Sequence, residues 1–150
     1  MQIVENTLDI ELATFLERPL FSFLAQSSSD GPRVSPLWFL WEDGAPWHIA
    51  QLSGRSYPAR VADDPRIAVA IVDFDPAVGR VQHVGVRGRA AVEPYDAGRA
   101  GRLRSRYLGA ERDRWPDRFA ELDPADYRLI RVDPDTVVAR DQSYRGPADG

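Results

Sequence analysis

The residues best suited to chemistry fall in one short stretch, Ser53-Gly54-Arg55-Ser56, with Arg60 one helical turn beyond Ser56. The run opens a short helical segment that Pro65 terminates. A helix N-terminus offers unpaired backbone N–H groups to an anion. Two guanidinium groups and two hydroxyls would add charge-assisted donors. At a spacing of four, Ser56 and Arg60 share a helix face. That is the chemistry of a phosphate cradle. The flanking segments, Val34 to Trp41 and Pro46 to Leu52, are apolar strands that could hold a flat ring. Together they point to a phosphorylated aromatic cofactor. A solvated loop with ordinary helix-start residues would also carry these side chains, and residue type alone leaves both readings open.

Other chemistries find less support. Two His and no Cys assign no metal site, thiolate nucleophile or disulfide. There is no G-x-S-x-G, P-loop or H-E-x-x-H pattern. The spacing Gly85-x-x-Gly88 lies inside a strand and does not resemble a dinucleotide loop. Trp38, Trp41 and Trp47 either line a planar ligand site or fill a core. His83 either touches a ring or is a hydrogen-bonded structural residue, and His48 reads as a strand residue. The Arg-rich run from Arg99 to Arg118 is interleaved with Glu111, Asp113 and Asp117, so it reads as a solvated helix face. No acid–base pair emerges, and no catalytic side chain is assigned. A bound cofactor that performs the chemistry itself would need none.

With 150 residues the chain reads as a single domain, residues 1–150, large enough to bury a core. A net charge of −4 argues against a nucleic-acid partner. Every basic residue is Arg, so any cation–phosphate contact must use a guanidinium. No apolar run approaches ~20 residues, so no membrane span is expected. The start, MQIVENTLDIE, lacks a basic segment followed by an apolar one, and the cytoplasm is the default expectation.

These residues need a scaffold. Asn6 could cap a helix whose Leu8, Leu12, Phe15 and Leu16 share a face. Strands are expected over Leu20–Gln26 and Val34–Trp41, then, after the turn Glu42-Asp43-Gly44, over Pro46–Leu52. A helix over Ser56–Asp63 precedes strands Arg66–Asp73 and Arg80–Glu93. A helix from Pro94 to about Leu108, a helical turn within Trp115–Leu122, and closing strands Tyr127–Val132 and Thr136–Arg140 complete the chain. Six to seven mainly antiparallel strands with peripheral helices predict a mostly β (α+β) barrel.

This order resembles the pyridoxamine 5′-phosphate oxidase-like family. The resemblance runs from about Leu20 to Val132. Four pieces carry it: Arg33-Val34-Ser35-Pro36-Leu37-Trp38-Phe39; Ser53 to Asp63 followed by Asp64-Pro65-Arg66; His83-Val84-Gly85-Val86-Arg87-Gly88-Arg89-Ala90; and Tyr127-Arg128-Leu129-Ile130-Arg131-Val132 followed by Pro134. It implies a split β-barrel that binds FMN, or alternatively the deazaflavin F420, as a homodimer.

Carried over by position, the resemblance puts backbone groups of Ser35, Pro36, Leu37 and Trp38, and of Ala50, Gln51 and Leu52, against the isoalloxazine ring or ribityl chain. Arg55, Ser56 and Tyr57 fall where the family binds phosphate with Ser, Arg and Lys. Tyr57 departs from that pattern, and Arg60, where Asn or Gln is common, could replace the cation. His83 matches a position that reaches the flavin from the partner subunit. A flavin-dependent oxidoreductase acting on a small molecule is the expectation. A non-catalytic flavin-binding protein is the alternative. Pyridoxamine phosphate oxidation proper is disfavoured, because the family's oxidases use a C-terminal Arg and His, and no His follows His83.

Overall fold

The computed structural model describes residues 1–54 and 57–147; Arg55 and Ser56 lie outside the described residues. The chain opens with β1 (Gln2–Asn6) and the short helix α1 (Leu12–Leu16). Four strands follow: β2 (Phe21–Gln26), β3 (Arg33–Leu37), β4 (Leu40–Glu42) and β5 (Ala45–Gln51). Helix α2 (Tyr57–Asp63) leads into the long hairpin of β6 (Arg66–Asp75) and β7 (Arg80–Glu93). Helices α3 (Ala97–Leu108) and α4 (Asp117–Ala120) separate it from the last strand, β8 (Tyr127–Asp141).

The sheet runs β3-β2-β6-β7-β8-β5-β4, with β1 parallel to β8 and the other pairings antiparallel. Its two end strands, β3 and β4, are neighbours in the chain, joined by Trp38 and Phe39. The sheet therefore curls until its ends meet, which makes a split barrel. Alternation along β7 shows why it curls. Val84, Val86 and Ala90 are buried inside, while His83, Gly85 and Arg87 face outward. Leu24, Val69, Ile71, Ile130 and Val137 join them from the other strands, and α1 adds Phe15 and Leu16. A second cluster, with Leu40, Trp47 and Leu129, packs against Ala100 and Leu103 of α3.

The sheet has eight strands, and the sequence expectations differ from it at three places. Gln2–Asn6 is a strand because it pairs with Thr136–Ala139; Asn6 Oδ1 accepts the Leu8 N–H at 3.1 Å and caps only a turn. The expected strand Val34–Trp41 breaks at Trp38, where the chain crosses from one end of the sheet to the other. The two expected closing strands are one, because β8 runs through Pro134. Pro134 lies opposite Gly88 at a register shift, where its missing N–H costs no regular ladder bond. A Cβ on Gly88 would collide with the Asp133 carbonyl oxygen, so the strands approach this closely only with glycine.

One polar pair lies within the apolar barrel. His48 is fully buried, and its Nε2 is 3.0 Å from Ser22 Oγ. Ser22 Oγ donates to the Leu37 carbonyl at 2.8 Å. The Ser22 oxygen is then left to accept, which assigns the neutral Nε2–H tautomer to His48. Burial pushes the His48 imidazole from 6.5 down to about 4. The folded state thus holds it neutral, and that contribution to stability is complete above 6.5 and is lost as pH falls toward 4. The gap corresponds to roughly 3 kcal/mol at most. Urea unfolding should show stability dropping between about pH 6.5 and 4.5. His48→Leu should flatten that slope; an unchanged slope would assign the acid sensitivity to other groups.

Candidate functional site

The seam of the barrel carries a cleft of about 530 Å³. One wall is the sheet end: Ser35, Pro36, Leu37 and Trp38. Ile49 and Gln51 of β5 and Tyr57 of α2 form the opposite side. Leu103 and Arg104 of α3, with Arg118, Phe119 and Leu122, form a helical wall. Because β3 is an end strand, one row of its backbone N–H and C=O groups has no sheet partner. Those groups can recognise the polar rim of a flat ring.

The Trp38 side chain is fixed in place. Its ring stacks on Tyr107 at 4.6 Å and 5°, and Phe119 lies 5.2 Å away at 32°. Tyr107 comes from α3, whose N-cap Asp96 accepts the Arg99 N–H. The Tyr107 hydroxyl accepts the Phe39 N–H at 3.1 Å and donates to the Leu20 carbonyl at 2.7 Å. Burial raises its pKa. Arg106 reinforces the same junction, donating to the carbonyls of Phe39, Leu16 and Arg18. At the far end of α3, Arg99 and Arg102 grip Glu42, and the Arg102 hydrogen bond does most to hold its carboxyl at about 2.

The start of the loop after β5 is organised by Asp126, a residue with no motif or spacing to single it out. Its carboxylate accepts from Ser53 N at 2.9 Å, Ser53 Oγ at 2.7 Å and Gln51 Nε2 at 3.1 Å. These bonds lower the Asp126 pKa, the Ser53 side chain most. The Asp126 carbonyl also accepts the Leu52 N–H at 2.8 Å. Gly54 follows with a φ of 68°, a left-handed turn suited to glycine. Asp126 therefore holds Gln51, Leu52 and Ser53 at the end of β5.

The expected contact residues separate into groups. Ser35, Pro36, Leu37, Trp38, Gln51 and Tyr57 meet at the cleft. Ala50 is fully buried in the barrel, paired with Arg128 of β8, and does not line the cleft, and Leu52 is exposed. Tyr57 donates from its hydroxyl to the Ile49 carbonyl at 2.6 Å, tying α2 to β5. Arg60 bonds Gln26 Oε1 at 3.0 Å and lines a second, smaller cleft of about 310 Å³ with Arg33, Asp30 and Asp63. His83 lies on the outer face of β7, with Nε2 sealed from solvent and without a hydrogen bond among the described residues. The arginine run after Arg99 is not a uniformly solvated face. Arg104 is buried, and its i, i+4 position from buried Ala100 was the available signal.

Residues 8–141 match the family described as pyridoxamine 5′-phosphate oxidase, and the chain belongs to that family. Three solved structures illustrate the fold. An F420 reductase is 24% identical with a TM-score of 0.64, over 87% of this chain and 98% of that one. A FAD-binding protein from Mesorhizobium loti is 19% identical with a TM-score of 0.63, over 91% and 96%. HutZ, a heme storage protein from Vibrio cholerae, is 15% identical with a TM-score of 0.67, over 99% of each chain. Among curated proteins nothing matches the chain. No helix among the described residues is long and apolar enough to cross a membrane.

Tyr107→Phe tests the junction behind Trp38. It keeps the stacked ring but strands the Phe39 N–H and the Leu20 carbonyl, a loss of about 1–3 kcal/mol. Thermal denaturation should register that loss, and tryptophan emission should change as Trp38 loosens. A variant as stable as the parent would show that α3 does not hold the cleft.

Proposed function

We propose that the chain is an FMN-dependent oxidoreductase acting on a small molecule as a homodimer. The observation that carries this reading is the seam cleft: an end strand with free backbone groups, a fixed Trp38 ring, and Ser53 held by Asp126 at the end of β5. A flat ring suits the space beside Ser35 to Trp38, with Gln51 to Leu52 along the ribityl side. Arg55, Ser56 and Arg60 would hold the phosphate. When bound, FMN supplies the hydride chemistry. The chain's part is to bind the cofactor, orient it and exclude water.

The homodimer reading draws on the outer face of the sheet. Phe21, Phe23 and Phe74 are exposed along β2 and β6, beside outward-facing His83 of β7. Apolar faces of this kind suit obligate interfaces. Burying this face against a second copy would bring His83 to the partner's cofactor. Light scattering across dilutions should give a dimer, and a folded monomer that binds FMN at full affinity would remove the shared site.

F420 is the second reading, favoured by one observation: Arg33 and Arg60 share the small cleft beside α2, where an anionic tail could run. Asp30 and Asp63 line the same cleft, and Arg66 is paired with Asp64 at 2.7 Å. That balance of charge favours the shorter FMN. A non-catalytic flavin-binding role would show bound cofactor that no nicotinamide reduces enzymatically.

The visible spectrum of the purified protein, with mass spectrometry of whatever denaturation releases, identifies the cofactor directly. Arg60→Ala should weaken FMN binding by about tenfold or more, as expected for a charge-assisted contact. Arg114→Ala, at an exposed pair with Glu111, should leave it unchanged. Equal effects in flavin fluorescence titrations would exclude Arg60 from the phosphate site.

A further inference from the structure

We infer that the helical wall of the cleft is a carboxylate-recognition subsite, so that the small molecule bound beside the cofactor is a planar, apolar acid. The inference rests on the flavin reading of the cleft given above. It starts from Arg104. This residue is 5% exposed, yet among the described residues no carboxylate pairs with it. Its Nε donates to the Ala100 carbonyl at 3.1 Å, and Nη1 to the carbonyls of Phe119 and Ala120. Nη2 makes no hydrogen bond among the described residues, and it is not sealed from solvent. The Phe119 and Ala120 carbonyls end α4, and the guanidinium also lies 5.2 Å from the Trp115 ring centroid, but with no carboxylate beside it this buried charge is one that an anion would complete.

A second cation borders the same space. Arg118 lines the cleft, with its guanidinium 4.6 Å from the Phe119 ring centroid. It too has no ion pair among the described residues. The protein carries a net charge of −4, yet the cleft lining includes both arginines and no Asp or Glu among the described residues. Trp38, Leu103 and Phe119 supply apolar wall around the two cations. Two fork-shaped donors on an apolar wall fit a carboxylate attached to a flat hydrocarbon body.

The chosen probes are 2-naphthoate and 2-naphthamide, equal in shape and different in charge. Calorimetric titration of the full chain, with and without FMN, should show naphthoate binding about tenfold more tightly or better. Arg118→Ala should cut that preference at least about threefold, and Arg104→Gln should abolish it. If Arg104→Gln does not fold, Arg118→Ala decides alone. Equal binding of the two probes, or a preference that survives Arg118→Ala, overturns the proposal. So do variants that lose FMN affinity while keeping the naphthoate preference, because the arginines would then serve the cofactor's phosphate. A parent protein that binds no FMN defeats the flavin reading, and the comparison of the two probes still decides this one.

Discussion

The closure of the barrel seam is the constraint on which the rest of the molecule depends. A curled sheet must bring β2 and β3 against β4 and β5 without a continuous ladder between them. Ser22 and His48 span that gap, and Ser22 also holds the Leu37 carbonyl where β3 ends. The interaction is short, buried and polar in an apolar interior. Its value lies less in net energy than in the penalty for any arrangement that separates the partners. A slipped seam would leave a hydroxyl, a carbonyl and an imidazole nitrogen buried without partners.

Helix α3 completes the closure from outside. Tyr107 and Arg106 bond the backbone on both sides of the seam, near Leu20 and at Phe39. Arg99 and Arg102 tie the same helix to Glu42, and the Arg99 guanidinium lies 3.7 Å from the Trp47 ring centroid. The helix is therefore attached through directional contacts as well as through Ala100 and Leu103. Fixing α3 fixes Trp38, and Trp38 fixes one wall of the cleft. The path from seam to cleft is thus short: Tyr107 bonds the seam backbone at Leu20 and Phe39 and stacks on Trp38.

What was legible in the sequence was local. The strand expected over Arg80–Glu93 is β7 with the same bounds, because period-two alternation needs only neighbours. Glu42-Asp43-Gly44 read as a hairpin, and Asp43 and Gly44 adopt the positive φ values such a turn needs. The order of elements matched a known family, and the chain belongs to it. Ser35 to Trp38, Gln51 and Tyr57 do converge. What could not be read was long-range. Nothing near Asp126 announces that its carboxylate will hold Ser53, and nothing near Arg104 announces a helix cap across a cleft. β1 was missed for the same reason, since its ladder partner is β8, more than a hundred residues away in the chain.

The location of the cleft follows from the same physics. The barrel interior is filled: Leu24, Phe39, Ile71, Val84 and Ile130 are fully buried, which leaves no room for a tricyclic ring inside. The open space lies instead where the sheet stops. Sheet ends carry unpaired backbone groups that have to be covered or paired. At β4, the Arg99 and Arg102 contacts bring α3 across the edge. At β3, α3 and α4 approach but leave a gap of about 530 Å³. The gap has hydrogen-bonding backbone on one side, aromatic rings behind and arginines on the helical side. A cavity built this way discriminates by shape at the strand and by charge at the helices. The helical wall is distinct from the hydrogen bonds that close the barrel, which come from Ser22, His48, Arg106 and Tyr107 among the described residues.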